Sequence, residues 1–267
     1  LNVFDKNMVV KSSSSVFVDK NDAEKLIPIT LGGEGIELLK NIGKSFPTWG
    51  ELEMGGTSSL WAGREIDETG SKNWLDSEGE GKKFIKGRMV DRFEIVDKPS
   101  QFINKKDWNP PFSSNFDRIA WRDVSRPNQK RRVKATVIKN EMVAGNSLGV
   151  AFFKDDDKNA LFALLGIMNS FCFEFQLRAY LATGHVSLSS LRKVRVPSKK
   201  ELSSNKVLIK EVEKMLNLFS ENENKIEAII AKNIYRLSED DLVRILDYFP
   251  KVSDQEKHAI LTEYRIC

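Results

Sequence analysis

Cysteine and histidine are nearly absent, with two of each in 267 residues. Cys172 sits inside an apolar run and Cys267 is the last residue, so no disulfide framework is expected. A reducing, intracellular and hence cytoplasmic setting follows. His185 and His258 have no Cys or His at ligand spacing, which argues against a thiol–imidazole metal site. Two histidines also leave no Ser/His/Asp arrangement to nominate. Long hydrophobic runs are missing too. The longest, Ala160 to Phe173, falls short of the about 20 residues a bilayer requires and runs straight into Glu174, Gln176 and Arg178. It reads as a buried helix, and no membrane partner is expected. With neither an initiator Met nor a basic, apolar leader, the chain is expected to be an excised or processed piece. No internal repeat or low-complexity tract is present.

What remains is an ordinary globular composition, 40% apolar and 30% charged, long enough for one large domain or two smaller ones. The charge is almost balanced, 42 Lys+Arg against 38 Asp+Glu, but it is not evenly spread. Between Arg118 and Lys134 lie seven cations (Arg118, Arg122, Arg126, Lys130, Arg131, Arg132 and Lys134) and one acid, Asp123. Trp121, Ser125, Asn128 and Gln129 are interleaved with them. A focused, arginine-rich strip is what a polyanion needs, because the planar guanidinium fork suits phosphate and the guanine edge. A solvated charged hairpin is the alternative.

Helical spacing of Ile36, Leu38, Leu39 and Ile42 predicts a helix ended by Gly43 and Pro47. Ser12 to Ser15 is expected to be a loop, and Glu51 to Gly81 mostly loop. Phe84 to Val96 reads as a strand, with Ile85, Met89, Phe93 and Ile95 inward and Gly87 marking a bulge or close approach. Val133–Ile138 and Leu148–Phe153 read as strands, with Ala144-Gly-Asn146 turning between them. Asp155-Asp-Asp157 is either a metal loop or, as acids before an apolar run more often are, the start of a helix over 159–181. Thr183-Gly184 stops that helix, and Val194–Pro197 suggests a short strand. Three helices follow residue 200, an amphipathic one marked by Ile226 to Leu237, a second opened by Ser238 and a last short one opened by Ser253. The expectation is a mixed α/β (α+β) fold with a mixed sheet and a central buried helix over residues 1–200. A small helical region, 201–267, completes it.

Asn109-Pro-Pro-Phe112 matches the Asn-Pro-Pro-aromatic loop with which DNA amino-methyltransferases hold a flipped base. No apolar strand feeds it, and no Gly-containing S-adenosylmethionine motif precedes it. Gly32-Gly-Glu-Gly35 comes nearest and lacks both the strand and the acidic ribose partner. A proline-punctuated loop is the better reading. Glu223-Asn-Lys225 lacks the strand a metal-nuclease motif needs, so surface is expected. His185 is either a helix C-terminal cap or a DNA contact.

The order of segments is more specific than any one of them. Gly63-Arg-Glu-Ile-Asp, Ile85-Lys-Gly-Arg88 to Phe93, Arg118 to Arg126 and Gly145-Asn-Ser-Leu come first. Leu164 to Phe171, Ala182-Thr-Gly-His185 and Lys193-Val-Arg-Val-Pro197 follow. Over residues 30–200 this resembles the C-terminal target-recognition region of adenine-specific DNA methyltransferases of restriction–modification systems, the TaqI-like and type IIS/IIG-associated methylases. The resemblance implies that cofactor domain and catalytic loop lie on a missing N-terminal half. Asn109-Pro-Pro-Phe112 is then coincidence, and this portion is catalytically silent. S-adenosylmethionine would bind elsewhere, and the partners would be double-stranded DNA, the methyltransferase domain and a restriction endonuclease. The recognition domain of an endonuclease subunit, or an interaction module with only non-specific DNA affinity, are the competing readings. The expected DNA contacts are the seven strip cations, Arg88 and Arg92 on one strand face, and Arg178, His185, Arg192 and Lys193 beside Gly184. Asn128 and Gln129, with Arg126, are the candidate base readers. Six phosphate contacts would give a log–log salt slope of about −5.

Overall fold

Every side chain of Leu148–Phe153 is buried, which suits a strand covered on both faces. The computed structural model describes residues 2–4, 10–13, 31–76, 81–104, 108–181, 183–218 and 222–267. The chain begins with the pair β1 (Asn2–Phe4) and β2 (Val10–Ser13), then α1 (Gly32–Asn41), α2 (Trp49–Leu52) and β3 (Leu60–Gly63). Next come β4 (Leu75–Asp76), β5 (Gly81–Ile85), β6 (Val90–Asp91), β7 (Glu94–Ile95) and β8 (Phe102–Asn104). The expected Ser12–Ser15 loop lies partly in β2 and otherwise outside the described residues.

Four further strands follow: β9 (Arg118–Arg122), β10 (Ala135–Ile138), β11 (Met142–Ala144) and β12 (Leu148–Phe153). They form two four-stranded sheets with β3, β4, β5 and β8. The central one, in the order β10-β9-β12-β3, is antiparallel throughout. The second, β11-β5-β8-β4, has one parallel pair, β11 with β5. Alternation divides the central sheet cleanly. Ile119, Trp121, Ala135, Val137, Ala151 and Phe153 face the helices, and Ala120, Ile138, Leu148 and Val150 face the second sheet.

Against the first face lie α3 (Lys158–Met168) and α4 (Phe171–Arg178). Sequence pattern predicts one helix here. Two form, bent by 64°, because Asn169 and Ser170 divert the backbone. The Ser170 hydroxyl accepts from Phe173 N at 3.1 Å and so caps α4. The buried Asn169 amide pairs with both backbone groups of Ala135, at 3.1 and 2.9 Å. Asp157 caps α3 through Ala160 N at 3.0 Å, so the acid triplet opens a helix as expected. Among the described residues no single helix is long and apolar enough to cross a membrane, and the bent pair is buried in the core.

After α5 (Leu188–Leu191) come α6 (Lys199–Ser204), α7 (Lys206–Leu218), α8 (Glu223–Ile229), α9 (Glu239–Asp247) and α10 (Asp254–Ile266). Leu202, Leu208, Ile226, Leu242 and Ile260 join the same core as Trp49, Phe153 and Phe173. Residue 200 therefore marks a change of composition inside α6, within one shared core. The fold is mixed α+β, with a buried helical centre.

Two predicted strands differ. The stretch 84–96 breaks at Gly87–Met89 into a 3-10 turn and then a hairpin, β6-β7, turning at Arg92 and Phe93. Val194–Pro197 reduces to a single bridge between Arg195 and Thr48.

Candidate nucleic-acid interface

The basic strip runs from β9 through the loop to β10, and most of its charge is turned inward. The Arg118 side chain is fully buried opposite an equally buried Glu65. Its Nη2 donates to Glu65 Oε2 at 3.1 Å and to Met142 O at 2.7 Å, and Nη1 donates to Phe116 O and Lys139 O. Nε lies 2.8 Å from Glu65 Oε1 as an ion pair without a hydrogen-bond angle. Arg131 is held between two buried acids, donating to Glu174 Oε2 and Glu227 Oε1 at 3.0 Å each and to Asn169 O at 2.5 Å. Its guanidinium also lies 3.7 Å from the centre of the Phe171 ring. Arg132 donates to the carbonyls of Ser125 and Thr183, at 3.0 and 2.6 Å.

The neighbours follow suit. Arg92 does not share a face with Arg88, because the turn sends it inward to Glu223, Glu227 and Asn169 O. Arg178 is mostly buried on Glu174 at 2.6 Å, its guanidinium 4.3 Å from the Phe249 ring centre. Arg122 bonds the carbonyls of Val90 and Arg88, and Lys134 pairs with Asp91 at 2.6 Å. Lys130 pairs with Glu256, Arg192 with Glu53 at 2.8 Å, and Lys193 sits 5.9 Å from the Tyr180 ring centre. Gln129 accepts from the Ser125 hydroxyl at 3.2 Å. As phosphate contacts, Arg118, Arg131, Arg132 and Arg92 are corrected. Arg118, Arg131 and Arg92 are neutralised by carboxylates inside the protein, Arg132 is held by carbonyls alone, and exposing any of them would strand a buried carboxylate or carbonyl.

Electrostatics in this cluster is divided. Burial alone would raise Glu174, but Arg131 and Arg178 hold its carboxyl below the usual range. Glu227 goes the other way, raised by burial that Arg131 and Arg92 only partly offset. Burial, together with the positive charge of Arg131, lowers Arg92.

A different set of groups remains outside. The pairings Val150–Gly63 and Leu148–Arg122 put the ends of β3 and β9 and the start of β12 at one end of the central sheet. Arg64 leaves β3 there, its side chain 55% exposed, and Nη2 donates to Asp123 Oδ2 at 2.9 Å. The same oxygen lies 3.1 Å from Nδ1 of His185. Asp123 is itself buried and its backbone is pinned on both sides, N–H to Ser147 O at 3.0 Å and carbonyl from Val186 N at 2.7 Å. Ser125 N donates to Gly184 O at 2.7 Å, so the Thr183–Val186 segment lies along the strip like an added edge. His185 is thus a partner of Asp123 and does not cap α4.

Gly87 completes this end: its N–H meets the Ser147 hydroxyl at 2.8 Å, and a Cβ there would lie 2.9 Å from Ser147 O. That close approach is the one its place in a strand pattern suggested. The adjacent Arg88 is exposed, as are Arg126 and Asn128 in the loop leaving β9. The Arg88 and Arg126 side chains make no ion pair or hydrogen bond among the described residues. Asn146 and Lys86 nearby are tied to Asp67 and Glu68, at 2.9 and 2.5 Å.

Sequence reasoning missed Arg64 and the buttressing role of Asp123. It also missed Glu65, Glu174 and Glu227, although Glu174 and Glu227 stand alone inside apolar runs, where an acid signals a buried partner. Asn109-Pro-Pro-Phe112 lies on a surface loop, with Phe112 exposed and leaning on Phe116 at 5.2 Å between ring centres. Gly32-Gly-Glu-Gly35 simply opens α1. Glu223 and Lys225 pair with Arg92 and Glu211. Among the described residues no group of three His, Cys, Asp or Glu could hold a metal ion. A cavity of about 1070 Å³ between the end of α1, the α6–α7 junction and residues 233–236 shares no residue with the strip.

No protein-family model matches the chain, and no curated protein does. Among solved structures it is similar to the HsdS subunit from Thermoanaerobacter tengcongensis, with a TM-score of 0.38 and 15% identity. The match covers 75% of this chain and 50% of that one, so the chain spans about half its length. At that score and identity the likeness carries no argument about fold or activity.

Proposed function

We propose that this chain binds double-stranded DNA and reads its sequence, as the target-recognition part of a restriction–modification system. The observation that carries the reading is the gathering of Arg64, Arg88, Arg126 and His185 at one end of the central sheet. These groups are exposed while nearly every other cation of the region is paired. Arg64 and His185, anchored by the buried Asp123 beside the strand ends, offer a rigid surface to a groove, which is what positioning and base readout demand. Motif order supports the finer reading, in which a separate domain binds S-adenosylmethionine and methylates adenine and an endonuclease shares the site. Arg64, Asp123 and His185, which belong to three of the resembling segments, meet here.

Fluorescence anisotropy with random-sequence duplex across a salt series tests the reading. The two exposed arginines without a partner among the described residues, Arg88 and Arg126, in place of a whole strip, set the expected log–log slope at about −2. Absence of binding at low salt removes the proposal.

A further inference from the structure

We infer that Arg64 is a base-reading residue and that the recognised site contains a guanine facing it. The inference rests on the DNA-recognition reading above and adds to it a residue and a base. Arginine reads guanine through two parallel N–H bonds to O6 and N7, and it does so best when the fork is held in place before the DNA arrives. Arg64 meets both requirements. One Nη2 hydrogen bond ties it to Asp123, and that carboxylate is fixed by burial, by two backbone hydrogen bonds and by His185. The remaining N–H groups make no hydrogen bond among the described residues, and half of the side chain faces solvent.

The contrast with Arg88 and Arg126 sharpens the assignment. Those side chains are exposed and carry no partner among the described residues, which suits a phosphate, a target that tolerates any approach. Arg64 alone among the three is both anchored and exposed. Its position just past β3 aims the site outward from a strand end instead of a long loop, giving the precision that base discrimination needs. Val124, 56% exposed beside Asp123, adds an apolar contact to the same patch.

The test is a selection from randomised duplex, run with the unsubstituted chain, Arg64→Lys and Arg64→Ala, and followed by affinity measurement on the enriched site and on random duplex. Arg64→Lys keeps the charge and the Asp123 pair but loses the bidentate fork. It is expected to keep random-duplex affinity while discrimination at one guanine falls roughly 5- to 150-fold. Arg64→Ala should relax the same position and weaken binding to all duplexes as well. A purely structural role would lower stability and leave the enriched motif unchanged. If both variants enrich the unsubstituted chain's motif with the same preference at every position, the Arg64 assignment is wrong and DNA recognition stands. If the unsubstituted chain binds duplex without enriching any motif, sequence reading itself fails and the assignment falls with it.

Discussion

Arg131 and Arg64 are the same residue in two regions of one molecule, both held by acids, with opposite consequences. Arg131 meets two buried carboxylates, a carbonyl and an aromatic face, so its fork is used up inside the protein. Arg64 meets one carboxylate that is shared with His185, and the rest of its fork stays in water. The number of acceptors at the anchor, more than the local density of positive charge, decides whether an arginine fastens the fold or faces a ligand. Here the strip clamps the β9–β10 loop onto α4 and α8. The DNA-facing role passes to the groups at its rim.

The largest test of this contrast is Arg131→Ala, which leaves Glu174 and Glu227 with a buried charge and too few partners. Chemical denaturation should show a loss of about 3–5 kcal/mol. The buried Arg118–Glu65 pair at the other end of the strip offers a cross-check. Arg118→Met or Glu65→Met alone should cost a similar amount, whereas the double substitution should recover much of it, because no unpaired charge remains. A double variant no more stable than the singles would mean that the Phe116, Lys139 and Met142 carbonyls, and not Glu65, set the value of Arg118.

The same contrast explains what the sequence could disclose. Strands at 135–138 and 148–153, the α1 helix, the capped α9 and α10 and the buried centre all follow from period and capping residues, which are local. Burial of Arg118 and Arg131 depends on Glu65, Glu174 and Glu227, which lie 53, 43 and 96 residues away along the chain. No spacing rule links such partners. The bend between α3 and α4 was hidden for a related reason: Asn169 turns the chain in order to satisfy Ala135 on a distant strand. At the candidate site, His185 and Arg126 were visible by residue type, but Arg64 entered only as part of the Gly63-Arg-Glu-Ile-Asp segment, since a lone arginine after a short strand shows no contact role until Asp123 is beside it.

A steric comparison comes next in size. Gly149 lies opposite Trp121 in the central sheet, and a Cβ there would lie 2.1 Å from Trp121 Cζ2. Gly149→Ala should therefore cost about 1–3 kcal/mol of stability, read as a lower denaturation midpoint, as overpacking does. It should also disturb the Trp121 indole, whose Nε1 donates to Val186 O at 3.3 Å beside His185, so DNA affinity should fall with stability. A variant as stable as the parent would show that the indole can move freely.

Acid separates the buried carboxylates by sign. For Glu174, burial alone would raise the pKa, and Arg131 and Arg178 more than reverse it. The same holds for Asp91, where Lys134 and the Arg92 N–H reverse the effect of burial. Both therefore add stability that is complete above their unfolded values, about 4, and is lost as pH falls through the lower folded values. Glu227, raised by burial, opposes them: its ionised form costs stability at neutral pH, and protonation relieves that cost on the way down. Urea midpoints should hold from pH 7 to about 5 and fall steeply only below about 4. In Glu227→Gln the opposing contribution is gone, so its decline from pH 6 to 4 should be steeper than the parent's. A parallel decline would place the Glu227 pKa in the ordinary range.

The smallest effect on the fold is the most telling for function. Arg88→Ala and Arg126→Ala remove exposed side chains without partners among the described residues, so each should change stability by no more than about 0.5 kcal/mol. Each should also reduce the steepness of the DNA salt slope by about 1, uniformly across sequences, because a phosphate contact carries no base preference. Arg131→Ala, tested under conditions where it stays folded, should leave that slope unchanged. The comparison fails if the buried arginine moves the slope and the exposed ones do not. The strip would then have to open toward DNA, and the acids that now hold it would have to release it on binding.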